Sequence, residues 1–369
     1  MSVLFQPEKI KNMELQNRFV RSATCDCLAD GAGHVSEAQI RMFVELAQGG
    51  VGLIVTGIAY VHYSGQILTN QNSIAGDDCI AGFKRLTANV HDKGGKVALQ
   101  LFHAGRDRAE FLRGKSEHAI GPSFIPNDPY FPEEYRSMTQ DEIWDIIGAF
   151  GDGAKRAREA GFDAVQLHAA HAFLPSQFLS PYTNRRSDEW GGSLENRLRF
   201  HREMYQDIRT KVGEDYPVLI KLGVQDGFAG GFELGEGKRA AKLLSQWGYD
   251  ALEISQGLRG KWYEGTEWRT PVDCLDREGY FRNWCQEVKS EVNVPTIMVG
   301  GLRTFELMQE VIQKGEADFV SLSRPLIKEP GIINEWKSGN RQGATCISCN
   351  KCLEALRDGE GLQCKQQKS

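Results

Sequence analysis

The chain has 369 residues, long enough for one large domain with a full core or for two ordinary ones. A formal net charge of −5 argues against a nucleic-acid scaffold and against a basic membrane-surface patch. The first thirty residues hold no apolar run flanked by basic residues, and no stretch approaches the length of a membrane span, so neither a signal peptide nor a spanning helix is expected and a cytoplasmic protein is the default.

Short, largely apolar runs alternate with amphipathic stretches along the chain. Strands are predicted at Phe19–Ser22, Gly52–Thr56, Lys96–Leu101, Ala164–His168, Val218–Leu222, Ala251–Ile254, Thr296–Val299 and Phe319–Leu322. Most are apolar on both parities, as buried parallel strands are. Helices are predicted from a Ser36 cap to Leu46, then near Asp78–Lys93, from a Thr139–Glu142 capping box to about Ala160, and at Leu194–Val212, Glu236–Trp247, Tyr280–Glu291, Thr304–Lys314 and Pro325–Ser338. Eight strand–helix units imply a (β/α)8 TIM barrel over residues 1–340, followed by a cysteine-rich extension over 341–369. A doubly wound sheet is the structural rival, but no Gly-x-Gly-x-x-Gly turn follows an early strand. Two connections, His103–Met138 and Ser255–Asp276, are too long to be simple links. They carry Phe124, Tyr130 and Tyr135, and Arg259, Lys261, Trp262, Tyr263 and Trp268, which suggests the wall or lid of a pocket on the catalytic face.

The candidate site residues lie at the carboxyl ends of these strands. The fourth strand runs into His168 and His171, two imidazoles able to hydrogen-bond one small anion or oxyanion. Gln100 stands near the end of the third strand, where its amide can bond a donor and an acceptor on a heterocycle edge. Lys221 places a cation at the fifth, which needs an anionic partner or an electron-rich ring. Gly300, Gly301 and Arg303 follow the seventh strand, and Ser323 and Arg324 the eighth, the usual place for a phosphate. Ser22, Ala23, Thr24 and Cys25 end the first strand, and Gly57 follows the second. A phosphate at one edge and an amide-rich ring over the mouth describe flavin mononucleotide (FMN) better than a nicotinamide dinucleotide.

The segments Asn17–Cys25, Leu99–Arg106 and Gly161–Phe200 resemble the old yellow enzyme family of FMN-dependent oxidoreductases, with similarity running from about Leu4 to Trp336. The resemblance implies that His168 and His171 bind the oxygen of an electron-poor acceptor such as an activated alkene. It implies that Gln100 and Lys221 contact the flavin's pyrimidine edge, with lysine where arginine is usual. Ser22, Ala23 and Thr24 line the ring, Cys25 tunes it, and Gly300, Gly301 and Arg324 hold the phosphate with Arg303 assisting. NAD(P)H is the implied reductant. Many members place a tyrosine, the proton donor, where this chain has Phe173. Water, Tyr60 or Tyr263 is then the expected donor.

Cys346, Cys349 and Cys352 form a C-x2-C-x2-C run, with Cys364 beyond. Four thiolates so grouped suit a [4Fe–4S] cluster, tetrahedral zinc, or a remnant without metal. The run resembles the cluster-binding segment of dienoyl-CoA reductases and trimethylamine dehydrogenases, which implies iron–sulfur and electron transfer to a further nucleotide-binding domain. The chain stops soon after Cys364, so that domain is expected to be missing and a separate electron-transfer partner protein is the alternative. The rival functions are a redox-neutral flavin isomerase or lyase, and an electron-transfer subunit. No nucleic-acid or membrane partner is expected, and a homo-oligomer is.

Overall fold

A computed structural model describes residues 2–108, 118–130, 134–260 and 266–366. Eight parallel strands close on themselves: β1 (Phe19–Arg21), β2 (Leu53–Tyr60), β3 (Val97–Phe102), β4 (Ala164–Ala169), β5 (Val218–Gly223), β6 (Ala251–Ser255), β7 (Thr296–Met298) and β8 (Phe319–Leu322). Closure is explicit, because β1 pairs with both β8 and β2. The helices that follow each strand are α1 (Glu37–Gln48), α2 (Ile80–His91), α3 (Gln140–Glu159), α4 (Arg199–Val212), α5 (Leu234–Trp247), α6 (Arg282–Lys289), α7 (Phe305–Gln313) and α8 (Ile332–Ser338). The fold is therefore the expected (β/α)8 barrel. Among the described residues no helix is long and apolar enough to cross a membrane.

Local chemistry explains the helix starts. Ser36 accepts from the Gln39 amide, and Thr139 and Glu142 close a reciprocal capping box at α3. Two predicted helices are broken. Leu194–Arg197 is a separate turn before α4, with Arg197 drawn onto the carbonyls of Leu179 and Gly192. Arg324–Lys328 is separate from α8, because Pro330 disfavours helical geometry at Glu329 (φ −134°, ψ 71°). β2 runs four residues beyond its predicted end, through a register shift between Val55 and Ile58.

An unpredicted hairpin, Glu8–Ile10 with Met13–Leu15, plugs the amino-terminal end of the barrel. Its Ile10, Met13 and Leu15 are buried against Val20, Leu53, Ala98, Leu219 and Phe319 of the strands. The barrel is thus sealed at one end and opens only at the strands' carboxyl ends.

Close helix–strand approach gives the first testable consequence. A Cβ on Gly237, in the first turn of α5, would lie 2.0 Å from the Val224 carbonyl oxygen. Gly237→Ala improves helix propensity by about 1 kcal/mol, but the clash is with backbone. We expect a net loss of about 1–3 kcal/mol, read as a lower urea midpoint.

Candidate functional site

Side chains alternate along a strand, so residues two apart share a face. Following the inward face upward from the apolar floor, Val20 leads to Ser22, Ala98 to Gln100, Ala164 to Gln166 and His168, Leu219 to Lys221, Ala251 to Glu253 and Ser255, and Phe319 to Ser321 and Ser323. The second layer is a closed polar network. Gln100 Nε2 donates to Gln166 Oε1 (2.8 Å) and Gln166 Nε2 to Glu253 Oε2 (3.0 Å). Lys221 Nζ donates to Ser22 Oγ (2.8 Å) and reaches Glu253 Oε1 at 3.2 Å. Ser22 and Ser321 hydroxyls donate to the same carboxylate oxygen at 2.7 and 3.0 Å. Burial alone would raise the Glu253 carboxyl. Lys221 and then the Ser22, Gln166 and Ser321 donors outweigh it and hold the carboxyl below its ordinary value.

Above this layer opens a cavity of about 790 Å3, within the usual size range of small-molecule sites. Ser22, Ala23, Thr24, Cys25, Gln100, Lys221, His168 and His171 all line it, as do Gly301, Ser323 and Arg324. Gly57, Gly300 and Arg303 do not. Gly57 backs the first-strand segment, where a Cβ would come 3.0 Å from the Thr24 carbonyl oxygen. Gly300 lies under Tyr280 and accepts its backbone N–H. The Arg303 guanidinium donates to the Ala344 carbonyl at 3.0 Å, tying the extension to the barrel.

The histidine turn is strained. His171 (φ 60°) and Ala172 (φ 68°) both occupy the left-handed region that non-glycine residues avoid. Their N–H groups are spent on the Gln256 and Gly257 carbonyls at 2.9 and 3.1 Å. This fold-back brings the His168 and His171 rings edge-to-face with centroids 4.9 Å apart. His171 Nε2 shares a 2.7 Å hydrogen bond with Ser255 Oγ, and its Nδ1 lies 3.7 Å from Glu267 Oε1. His168 Nδ1 is buried and has no hydrogen-bond partner among the described residues. Burial lowers the His171 pKa to about 3 and holds His168 well below the usual histidine value. Both rings are therefore neutral at physiological pH, each with one N–H to donate.

The long connection after β6 supplies a wall. Arg259 grips Glu267 through two nitrogens (2.6 and 3.0 Å), and its guanidinium lies 5.5 Å from the Phe173 ring centroid. Phe173 packs against Phe102 and His168. Tyr60 is buried in the cluster with Phe102 and Phe173 and does not line the cavity. Lys261, Trp262 and Tyr263 lie outside the described residues. In the other long connection, Arg106 pairs with Asp128 at 2.6 Å, and the Tyr182 hydroxyl donates to Asp128 at 2.7 Å.

Sequence reading missed Glu253, Gln166, Ser255 and Glu267. The first three carry a legible signal, a polar residue two or four positions above an apolar floor residue on the same strand. Glu267 carries none.

The residues present suit FMN. The buried Lys221 ammonium and the Gln100 amide face the cavity, an imidazole nitrogen without a partner among the described residues stands beside them, and Gly301 (φ 72°) sits under Tyr280 where a Cβ would meet the ring at 2.8 Å. At the far edge, Thr24 and Ser323 hydroxyls are 2.7 Å apart. Arg324 Nη1 donates to Asn350 Oδ1 at 2.6 Å, so the extension docks against this edge. Cys346, Cys349, Cys352 and Cys364 all border a second, small cavity, and Cys349 and Cys352 border the large one too. Among the described residues no group of three or more His, Cys, Asp or Glu is arranged to hold a single metal ion.

Comparison with known proteins follows this geometry. The sequence profile of the NADH:flavin oxidoreductase / NADH oxidase family matches residues 3–342. A NADH oxidase of Thermoanaerobacter brockii is 36% identical over 94% of this chain and 52% of its own length. A cinnamate reductase of Clostridium sporogenes is 33% identical over 98% of this chain and 57% of its own. The structure of a 2-naphthoyl-CoA reductase in complex with 2-naphthoyl-CoA superposes with a TM-score of 0.85 and 27% identity, over 95% of this chain and 54% of that one. The chain thus spans about half the length of these relatives. It belongs to the NADH:flavin oxidoreductase / NADH oxidase family, the old yellow enzymes.

Proposed function

We propose that this chain passes a hydride from NAD(P)H, by way of FMN at the barrel mouth, to an activated alkene or similar electron-poor acceptor. The observation that carries the reading is that His168, His171 and Lys221 face one cavity. FMN bound there supplies hydride acceptance and donation at its N5. Lys221, anchored by Ser22 and Glu253, sets a positive charge where a reduced ring carries negative charge. His168 donates to the acceptor's oxygen, and His171 does so once that oxygen competes with Ser255. Neutral donors stabilise charge developing on the oxygen without surrendering a proton to it. A conjugated acyl acceptor fits the printed names of two relatives, cinnamate reductase and 2-naphthoyl-CoA reductase.

The proton for the acceptor's α-carbon comes from water or from Tyr263, which lies outside the described residues. Phe173 has none to give, the Tyr60 hydroxyl is buried toward Ser73, and the Tyr280 hydroxyl is committed to the Glu267 carbonyl at 2.7 Å. Phe173→Tyr keeps the ring and adds a donor. It should raise enone turnover while leaving quinone reduction, which does not wait on carbon protonation, unchanged. Unchanged enone turnover would remove the role assigned to this position.

The histidine pair is tested by His168→Ala and His171→Ala. Each should lower kcat/KM for a cyclic enone by about 10²–10³ and leave the rate of NAD(P)H oxidation with a quinone within a few-fold. Equal losses with both acceptors would instead assign the pair to cofactor binding.

The extension is proposed to hold a [4Fe–4S] cluster on Cys346, Cys349, Cys352 and Cys364. Iron–sulfur is preferred to zinc because the run resembles the cluster-binding segment of dienoyl-CoA reductases and trimethylamine dehydrogenases, not because of the cysteine spacing. Cys349 and Cys352, bordering both cavities, would connect it to the flavin site and, through it, to an electron-transfer partner or domain. Iron and acid-labile sulfide analysis of anaerobically purified protein tests this; zinc at one equivalent would contradict it.

A further inference from the structure

A second pair of cysteines stands apart from the C-terminal four. Cys25 and Cys27 both line the large cavity, and their sulfurs are 3.6 Å apart. The segment that carries them is fixed on every side. The Asp26 carboxylate accepts from Gln39 Nε2 at 3.0 Å and from the Leu28 amide at 2.9 Å. The Asp26 carbonyl accepts from the Leu362 amide of the extension at 2.9 Å. Gly57 lies behind, 3.3 Å from Cys25 Cα measured from where a Cβ would be. Cys27 has φ 49°, a left-handed conformation that β-substituted residues rarely adopt. That fold-back turns both thiols toward the same space.

We propose that Cys25 and Cys27 form a thiol–disulfide exchange site that takes low-molecular-weight disulfides entering the cavity. Hydride transfer as argued above uses neither sulfur as a reacting atom, and the expected tuning of the ring by Cys25 leaves Cys27 without a use. The bond to be made is short-range: the sulfurs must close from 3.6 Å to about 2.05 Å, the disulfide length. The two thiols are also inequivalent. Hydrogen bonding to Cys27 and burial push Cys25 up, whereas the hydrogen bond from Cys25 lowers Cys27. Cys27 is then the thiolate that attacks and Cys25 the one that resolves.

The steps balance. Cys27 thiolate attacks one sulfur of R–S–S–R, forming a Cys27–S–S–R bond and releasing R–S−. Cys25 gives up its proton to that thiolate and attacks the Cys27 sulfur, releasing the second R–S−, which takes a proton from water in exchange for the one Cys27 had lost. One small disulfide is reduced to two thiols, and the protein dithiol is oxidised to a disulfide.

The test uses the full chain as purified, reduced and freed of reductant, then treated anaerobically with oxidised glutathione. Peptide mapping by mass spectrometry is the readout, so it does not depend on flavin activity. The expected product is a Cys25–Cys27 linked peptide with two glutathione molecules released per chain. Cys25→Ser should instead trap glutathione on Cys27, and Cys27→Ser should slow thiol release by about tenfold or more. The proposal is overturned if Cys25 and Cys27 remain thiols while other cysteines react, or if the wild-type protein stops at a mixed disulfide.

Discussion

Replacing Glu253 by glutamine is expected to lower the stability of the protein by about 3–5 kcal/mol, measured by urea unfolding without added FMN. The reason lies in the second barrel layer. Lys221 and Glu253 side chains are 4% and 0% exposed, and their heads are 3.2 Å apart. The carboxylate also accepts from Ser22, Gln166 and Ser321. Removing its charge leaves the ammonium buried with neutral partners only, and an uncompensated buried charge is far more costly than a missing pair. Glu253→Gln combined with Lys221→Met should therefore recover most of the loss. If the double variant is as unstable as the single one, the network is held by packing rather than by charge balance. The pair is kept, on this account, because the cavity above needs a fixed cation, a functional requirement rather than a gain in stability.

The second large effect is acid sensitivity. Burial lowers the pKa of His103, His171 and His201 to about 3 each, against about 6.5 for an unfolded histidine. Between those values the unfolded chain binds more protons than the folded one, so stability falls as the pH falls. It is fully present above pH 6.5 and is lost toward pH 3. Each histidine contributes about 1.4 kcal/mol per pH unit across that window. At pH 5 the three together cost about 6 kcal/mol, comparable to the whole stability of many domains. His201 isolates the effect. It lies outside the cavity, fully buried, with neither ring nitrogen hydrogen-bonded among the described residues. His201→Leu should flatten the dependence of unfolding free energy on pH below 6.5 by about 1.4 kcal/mol per unit. An unchanged slope would mean that the protonated ring finds a hydrogen-bond acceptor in the fold.

What could be read from the amino acids alone follows from where the physics is local. Buried parallel strands are apolar on both faces, so β1 to β8 were visible as short runs such as Val218–Leu222 and Phe319–Leu322. The capping box at Thr139 is likewise written in four residues. The amino-terminal hairpin was not visible, because Glu8–Ile10 and Met13–Leu15 are three-residue strands around Lys11 and Asn12, and only the barrel floor gives their apolar faces a reason to pair. The break before α8 was written in Pro330 but masked by helical periodicity on either side. At the site, the histidines and Lys221 stood out because polar residues at strand ends need a reason. Glu253 is marked as an inward polar residue by its place two positions above Ala251, but its partners Lys221 and Ser22 become visible only when closure of the barrel sets them opposite it. The geometry also redistributes the expected phosphate grip: Gly301, Ser323 and Arg324 reach the cavity, while Arg303 fastens the extension.

The open end of this barrel is proposed to bind FMN over Lys221 and Gln100, where NAD(P)H reduces it. An anaerobic absorbance spectrum of the purified chain, supplied with FMN if it lacks it and then given NADH or NADPH, tests this most directly. A bound yellow chromophore is expected that bleaches on addition of the nicotinamide and recovers on addition of an electron-poor acceptor. A colourless protein that takes up no FMN would contradict it.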